Sequence, residues 1–199
     1  DLVLEDLKDA DWEDERWESL LNQLSISDMQ NLVDGGSFKT VAVNSIGKSA
    51  TVDYDGPSAA FHSGTGHPSE VIIACSWNLE VAKLVGESIG REASSRGLTG
   101  WYAPGINTHR SPFGGRNFEY YSEDGVLAGK QAANLTLGLQ GKGCNAYVKH
   151  LAGYEQQNNR VGLSVWCNEQ AYREIYLRPF RLAIEEGGAM NAMTSYTRV

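Results

Sequence analysis

The chain has 199 residues, 41% hydrophobic and 21% charged, which is ordinary for a globular protein and long enough for a sizeable core. Its formal net charge is -8, with 17 basic against 25 acidic side chains, so it lacks the basic face that a nucleic-acid binder needs. Mean hydropathy is -0.37 and no apolar run reaches membrane-spanning length, so neither nucleic acid nor a membrane is an expected partner.

Residues 1–36 read as a short helical N-terminal segment. Leu20, Leu21 and Leu24 form one apolar stripe, Met29, Leu32 and Val33 a second, with Ser25-Ile-Ser-Asp28 as a cap between them and Gly35-Gly36 as the stop. Residues 37–50 read as a loop or short hairpin, and 37–199 as one further domain. Thr51–Tyr54 is a short strand ending at Asp55-Gly-Pro57. Val71–Cys75 is an apolar run of strand length. Asn78 caps a helix with Leu79, Ala82, Val85, Ile89 and Ala93 at helical spacing, stopped at Gly97. Gly100–Ala103 is a strand. Ser122 with Glu123 and Asp124 starts a helix whose inner stripe is Ala128, Ala132, Leu135 and Leu139. Asn145–Val148 is a strand. Asn168 starts a helix with Tyr172, Ile175, Ala183 and Ile184 inward, which Pro179 should kink or split. Ala189–Met193 begins a last strand.

Strands alternating with helices of this length predict a parallel α/β fold. Polar residues gather just after the strands, where a (β/α)8 barrel assembles its active site, whereas a doubly wound nucleotide binder would show GxGxxG and none occurs. A complete barrel takes roughly 250 residues, so the expected fold is an incomplete TIM-type (β/α)8 barrel of about five or six units. Cys75, Cys144 and Cys167 are odd in number and widely spaced, and read as buried free thiols. No signal-peptide pattern is visible, which favours a cytoplasmic location, although the first residue is Asp1 and not Met.

The candidate chemistry lies at the strand ends. Asp55 is either a turn residue stabilising its own loop or a carboxylate accepting bonds from two sugar hydroxyls. Arg116 is followed by large side chains that suggest burial, and a buried Arg must be paired; Arg110, nearby, is equally well read as solvated. Lys149-His150 puts two donor-capable residues at one strand end. His62, His67 and His109 lie in other loops, so no metal set completes around His150, and neither a metal nor a cofactor is expected. Glu155 follows five residues later, but no carboxylate pair at about 5–5.5 Å, the mark of a retaining glycosidase, can be assigned from spacing. A Ser-His-Asp triad lacks its GxSxG elbow.

In combination these segments resemble the N-terminal barrel domain of family 3 glycoside hydrolases, the β-glucosidase and β-xylosidase group. The resemblance rests on Asp55-Gly-Pro57, Ser76-Trp-Asn78, Ala103–Asn107, Gly115–Asp124, Lys149-His150, Glu155-Gln156 with Arg160, Arg173–Phe180 and Ser195-Tyr196. It implies that Asp55, Arg116, Lys149 and His150 bind the non-reducing sugar, and that Tyr196 sits beside the nucleophile. It also implies a retaining β-glucosidase acting on a β-glucoside or small oligosaccharide. Both catalytic carboxylates would lie outside this chain: an Asp later in the barrel, and a Glu from an α/β sandwich domain of the same polypeptide or a partner chain. The chain alone would be inactive. Trp77, Trp101 and Trp166 are candidates for the aromatic under the sugar face. The chain departs from many relatives in lacking an Arg soon after Asp-Gly-Pro, where Ser58-Ala-Ala-Phe61-His62 stands. It also lacks the His-Asp dyad of the N-acetylglucosamine-specific branch, reading Leu151-Ala-Gly-Tyr-Glu155 there. A β-xylosidase or α-arabinofuranosidase of the same family, or a non-catalytic sugar-binding module, are the alternative readings.

Overall fold

A computed structural model describes residues 2–60 and 64–199. Phe61 and His62, the last two residues of the Ser58–His62 stretch that departs from many relatives, lie outside the described residues. The chain forms two compact units, Asp1–Asp53 and Tyr54–Val199.

In the first unit, helices α1 (Arg16–Leu21) and α2 (Ile26–Asp34) precede a short antiparallel pairing of β1 (Lys39–Thr40) with the start of β2 (Thr51–Asp55), in the register Lys39↔Val52; the end of β2, Tyr54 and Asp55, belongs to the second unit. Ser25 caps α2 in both directions: its Oγ accepts from the Asp28 amide, and Asp28 Oδ2 accepts from the Ser25 amide. Leu7, Leu20, Val43 and Ile46 form a small core. The α2 stripe of Met29, Leu32 and Val33 is exposed.

The second unit contains α3 (Glu70–Cys75), α4 (Leu79–Ser95), β3 (Gly100–Tyr102), α5 (Gly125–Gln140), β4 (Asn145–Leu151), α6 (Glu169–Ala171), a π turn over Tyr172–Tyr176, α7 (Arg178–Glu185) and β5 (Asn191–Thr194). The strands β3, β4 and β5 are parallel neighbours in that order, with Trp101 opposite Ala146 and Val148 opposite Ala192. Residues 70–75 are helical, which overturns the predicted strand. The apolar run is only one helical turn and a half long, Ser69 stands as N-cap, and Ile73 and Ala74 face inward while Ile72 points out.

Side-chain caps fix the helix starts. Asn78 Oδ1 accepts from the Glu80 amide, and Asp124 Oδ1 from the amides of Val126 and Leu127. Asp124, rather than Ser122, is the cap of α5; Ser122 Oγ accepts from the Asp124 amide instead. The predicted stripe of α5 is fully buried with Ile89 and Ala93 of α4. At the α4–α5 crossing, a Cβ on Gly86 would stand 2.1 Å from the Leu135 carbonyl oxygen, and one on Gly138 would stand 2.2 Å from that of Lys83. Two glycines thus let the backbones touch.

Pro179 lies in the first turn of α7, where its missing amide costs nothing, and the helical run from Asn168 is split just before it. Ala183 is buried, but Ile184 is exposed, contrary to the predicted inward stripe. Cys144 is buried as predicted; Cys75 and Cys167 are exposed, contrary to the predicted burial, and none of the three is in a disulfide.

Candidate sugar-binding site at the ends of the second unit's strands

Lys149 is the centre of the site. It lies in β4, which runs three residues further than the apolar run predicted, and its side chain is 1% exposed. A buried ammonium must be paired. Lys149 Nζ donates to Asp55 Oδ1 at 2.7 Å and lies 3.6 Å from Glu119 Oε2. Glu119, itself buried, accepts from Arg116 Nε through its other oxygen. Asp55, Lys149, Glu119 and Arg116 therefore form one alternating chain of charge.

Each member is delivered by a distinct local device. Asp55 ends β2, and the turn after it is held by Trp101, whose indole N–H donates to the carbonyls of Gly56 at 2.6 Å and Ala59 at 3.0 Å. Trp101 is wholly buried. It cannot lie under a sugar face, which removes it from the three aromatic candidates; Trp77 and Trp166 are exposed. Arg116 is far past β3 in sequence. It returns because the segment folds back, with Gly105 bridged in parallel to both Tyr120 and Lys149. A 3₁₀ turn over Asn117–Glu119 then sets the Arg116–Glu119 spacing.

His150 is buried. Asn107 brackets its backbone: Asn107 Nδ2 donates to the His150 carbonyl at 2.9 Å, and the His150 amide donates to Asn107 Oδ1 at 2.7 Å. The ring lies with Nδ1 3.1 Å from the Tyr120 hydroxyl and its centroid 4.7 Å from that of Tyr154. Burial first, and then the cations Arg116, Lys149 and Arg160, push its pKa down to about 2, so the imidazole is neutral. Partial burial is the largest single effect on Arg116 and lowers its pKa, but the hydrogen bond and charge of Glu119, with smaller effects of Tyr120 and Tyr154, together raise it.

Tyr196 lies two residues past β5 and is exposed. Its ring centroid is 6.2 Å from that of Tyr154, and the Arg160 guanidinium stands 5.0 Å from it. Arg160 also donates to the Tyr154 hydroxyl at 2.9 Å, and the Arg116 guanidinium lies 5.6 Å from the Tyr154 ring. Tyr154 thus joins the charged chain to Tyr196. All five predicted residues belong to one connected network.

Sequence reading did not assign Glu119, Tyr120, Tyr154, Arg160 or Asn107. The Arg-x-x-Glu spacing at 116 and 119 was the available signal for the first.

A cleft of about 690 Å³ is lined by Arg110, Phe113, Glu155, Trp166 and Tyr176, among others. Arg110 donates to the Tyr176 hydroxyl at 3.2 Å. Burial raises the Glu155 pKa to about 6, against the opposing contact from Asn107. Among the described residues no group of three or more His, Cys, Asp or Glu side chains is placed to hold a metal ion.

Chemically, the network offers an orienting set of fixed donors around a half-exposed carboxylate, suited to hydroxyl groups. Residues 29–199 match the family model described as the glycosyl hydrolase family 3 N terminal domain. β-Glucosidase B of Emericella nidulans is 39% identical over 190 residues, covering 92% of this chain and 22% of that protein. β-Glucosidase A of Butyrivibrio fibrisolvens is 43% identical over 122 residues, covering 61% and 15%. A β-glucosidase from Paenibacillus barengoltzii superposes with a TM-score of 0.87 at 34% identity, over 100% of this chain and 23% of that one. β-Glucosidase 3B from Thermotoga neapolitana, solved in complex with α-D-glucose, gives 0.84 at 32% identity, over 92% and 30%. The chain therefore spans less than a third of the length of these relatives. The likeness makes the fold a mixed α/β one in which the sheet curls as a half-barrel.

Proposed function

The chain belongs to glycosyl hydrolase family 3, to whose N-terminal domain it corresponds, and on that premise we propose that it supplies the glycone subsite of a retaining β-glucosidase. The substrate is a β-glucoside or small oligosaccharide with a terminal non-reducing β-D-glucosyl residue. The observation that carries this reading is the Asp55–Lys149–Glu119–Arg116 chain.

The geometry supports a division of labour. Lys149 is held on its buried side by Glu119 and fixes the half-exposed Asp55 carboxylate, whose remaining lone pairs accept from two adjacent hydroxyls. Arg116 donates to ring hydroxyls, whereas the buried Lys149 acts on the sugar through the Asp55 carboxylate that it anchors. Neutral His150 has Nδ1 turned to Tyr120, which fixes its ring and leaves Nε2 for the sugar. These groups are preorganised by burial, so bonds that tighten as the ring flattens towards the oxocarbenium-like transition state lower the barrier by several kcal/mol.

The nucleophile, an Asp later in the barrel, and the acid/base Glu, from an α/β sandwich domain, come from outside the chain. They belong to the same polypeptide or to a partner chain, and the same remainder completes the (β/α)8 barrel. The complex of the Thermotoga neapolitana relative with glucose supports the choice of sugar.

The test is turnover of a panel of nitrophenyl glycosides by the full polypeptide. The expected result is preference for the β-glucoside. Preference for the β-xyloside or α-arabinofuranoside would overturn the sugar assignment, and no turnover of any glycoside would overturn the enzyme.

A further inference from the structure

Glu70 is a charged-type residue with no role in the site as described. It is the first residue of α3 and its side chain is 0% exposed. Neither of its carboxyl oxygens makes a well-formed hydrogen bond among the described residues, although the backbone amides of Glu70 itself and of Gly105 stand close enough to act on it. Buried carboxyls in native proteins are almost always paired, so an orphan of this kind calls for a reason.

Its surroundings supply one. α3 packs against the 3₁₀ turn that carries Glu119. Glu119 and Lys149 both act electrostatically on Glu70, as Glu70 in turn acts on the buried Tyr121 phenol. The Glu119 oxygen that faces Lys149 likewise has no partner within hydrogen-bond distance. The charge of the cluster is already complete without Glu70: two cations, Arg116 and Lys149, stand against two carboxylates, Asp55 and Glu119. A third anion in the same dry volume would be uncompensated.

Resting on the glycone reading above, we infer that Glu70 is a positioning residue: a neutral carboxylic acid behind the Lys149–Glu119–Arg116 cluster. From α3, which packs against the 3₁₀ turn that carries Glu119, its bulk holds Glu119 so that Arg116, and the Asp55 carboxylate that Lys149 anchors, face the sugar. Burial raises its pKa well above the ordinary value. Glu119 adds to that effect, while Lys149 and the amides of Gly105 and of Glu70 itself oppose it.

The test compares Glu70→Gln and Glu70→Ala in the full polypeptide. The readouts are hydrolysis of nitrophenyl β-glucoside and the thermal midpoint across pH. A neutral acid is matched by an amide. Glu70→Gln should therefore keep kcat/KM within about threefold of the parent, whereas Glu70→Ala should raise KM by about tenfold or more with a smaller change in kcat. The folded pKa lies above the unfolded one. The contribution of Glu70 to the parent's stability is therefore full below about pH 4.5 and is lost as pH rises towards the folded pKa; Glu70→Gln has no such loss. The midpoint of Glu70→Gln relative to the parent should climb as pH rises above about 4.5.

A Glu70→Gln variant as impaired in KM as Glu70→Ala would overturn the inference, because it would mean that the charge is needed. So would a midpoint difference flat across pH, which would mean that Glu70 is ionised when folded. Should Glu70→Ala fail to fold, the Glu70→Gln arm decides alone. An inactive parent would count against the glucosidase reading, and the thermal comparison would still decide whether Glu70 holds its proton.

Discussion

Lys149 Nζ and Asp55 Oδ1 lie 2.7 Å apart although 94 positions separate the residues. The ammonium is sealed from solvent and the carboxylate is 49% exposed. The lysine therefore serves as the anchored partner and the aspartate as the presented one. The end of β2 and the end of β4 are brought together by a charge that cannot stay buried alone.

Lys149→Met tests that anchor. The substitution keeps the buried methylenes and removes the charge, leaving Glu119 to Arg116 alone. We expect a loss of about 3 kcal/mol in stability, since breaking a buried pair strands its partner. Urea unfolding of the full polypeptide, followed at the barrel domain, measures it. A loss below about 1 kcal/mol would show that the network adds little.

The pH dependence on the acid side should belong largely to His150. Its pKa is pushed down to about 2 in the folded state from an ordinary value of 6.5. A depressed folded pKa gives stability that is fully present above the unfolded value and is lost as pH falls below about 6.5. The thermal midpoint should drop as pH is lowered from about 7 to about 4, and His150→Gln should flatten that slope. Equal slopes in parent and variant would mean that the imidazole is charged in the native site.

Gly86→Ala tests the fold beneath the site. The added Cβ would meet the Leu135 carbonyl oxygen at 2.1 Å, a backbone atom that cannot swing away. Separating α4 from α5 should cost about 2–3 kcal/mol or more, despite the better helix propensity of Ala. An unchanged melting midpoint would contradict the close crossing.

The 199-residue chain by itself should hydrolyse no nitrophenyl β-glucoside above a mock preparation, because neither proposed catalytic carboxylate is in it. Measured turnover by the purified chain would place the nucleophile among residues that the present reading assigns to binding.

Much of the second unit was legible in the sequence because local signals agreed there. Asn78 and Asp124 cap helices whose Ala and Leu stripes recur at helical spacing, and the buried strand β4 is apolar up to Lys149. Residues 70–75 misled because a run of five apolar residues fits a buried strand or a short buried helix equally well. The deciding feature, Ser69 before Glu70, lies outside the run. Asp55, Lys149 and His150 could be singled out because polar side chains at the ends of apolar strands need partners, and Arg116 because the large residues after it suggest burial. The partners themselves were harder to read. Tyr154 and Asn107 sit in loops whose path depends on tertiary bridges at Gly105, and nothing local signals that Glu70 is buried.

The most direct measurement is kcat/KM for a β-glucoside with Asp55→Ala in the full polypeptide. Removing the presented carboxylate deletes a charge-assisted acceptor and leaves Lys149 with only Glu119 as counter-charge. We predict a fall equivalent to about 2–4 kcal/mol, or roughly 30-fold to 1,000-fold, with weaker inhibition by glucose in parallel. An unchanged kcat/KM and unchanged glucose inhibition in a folded variant would contradict the glycone assignment.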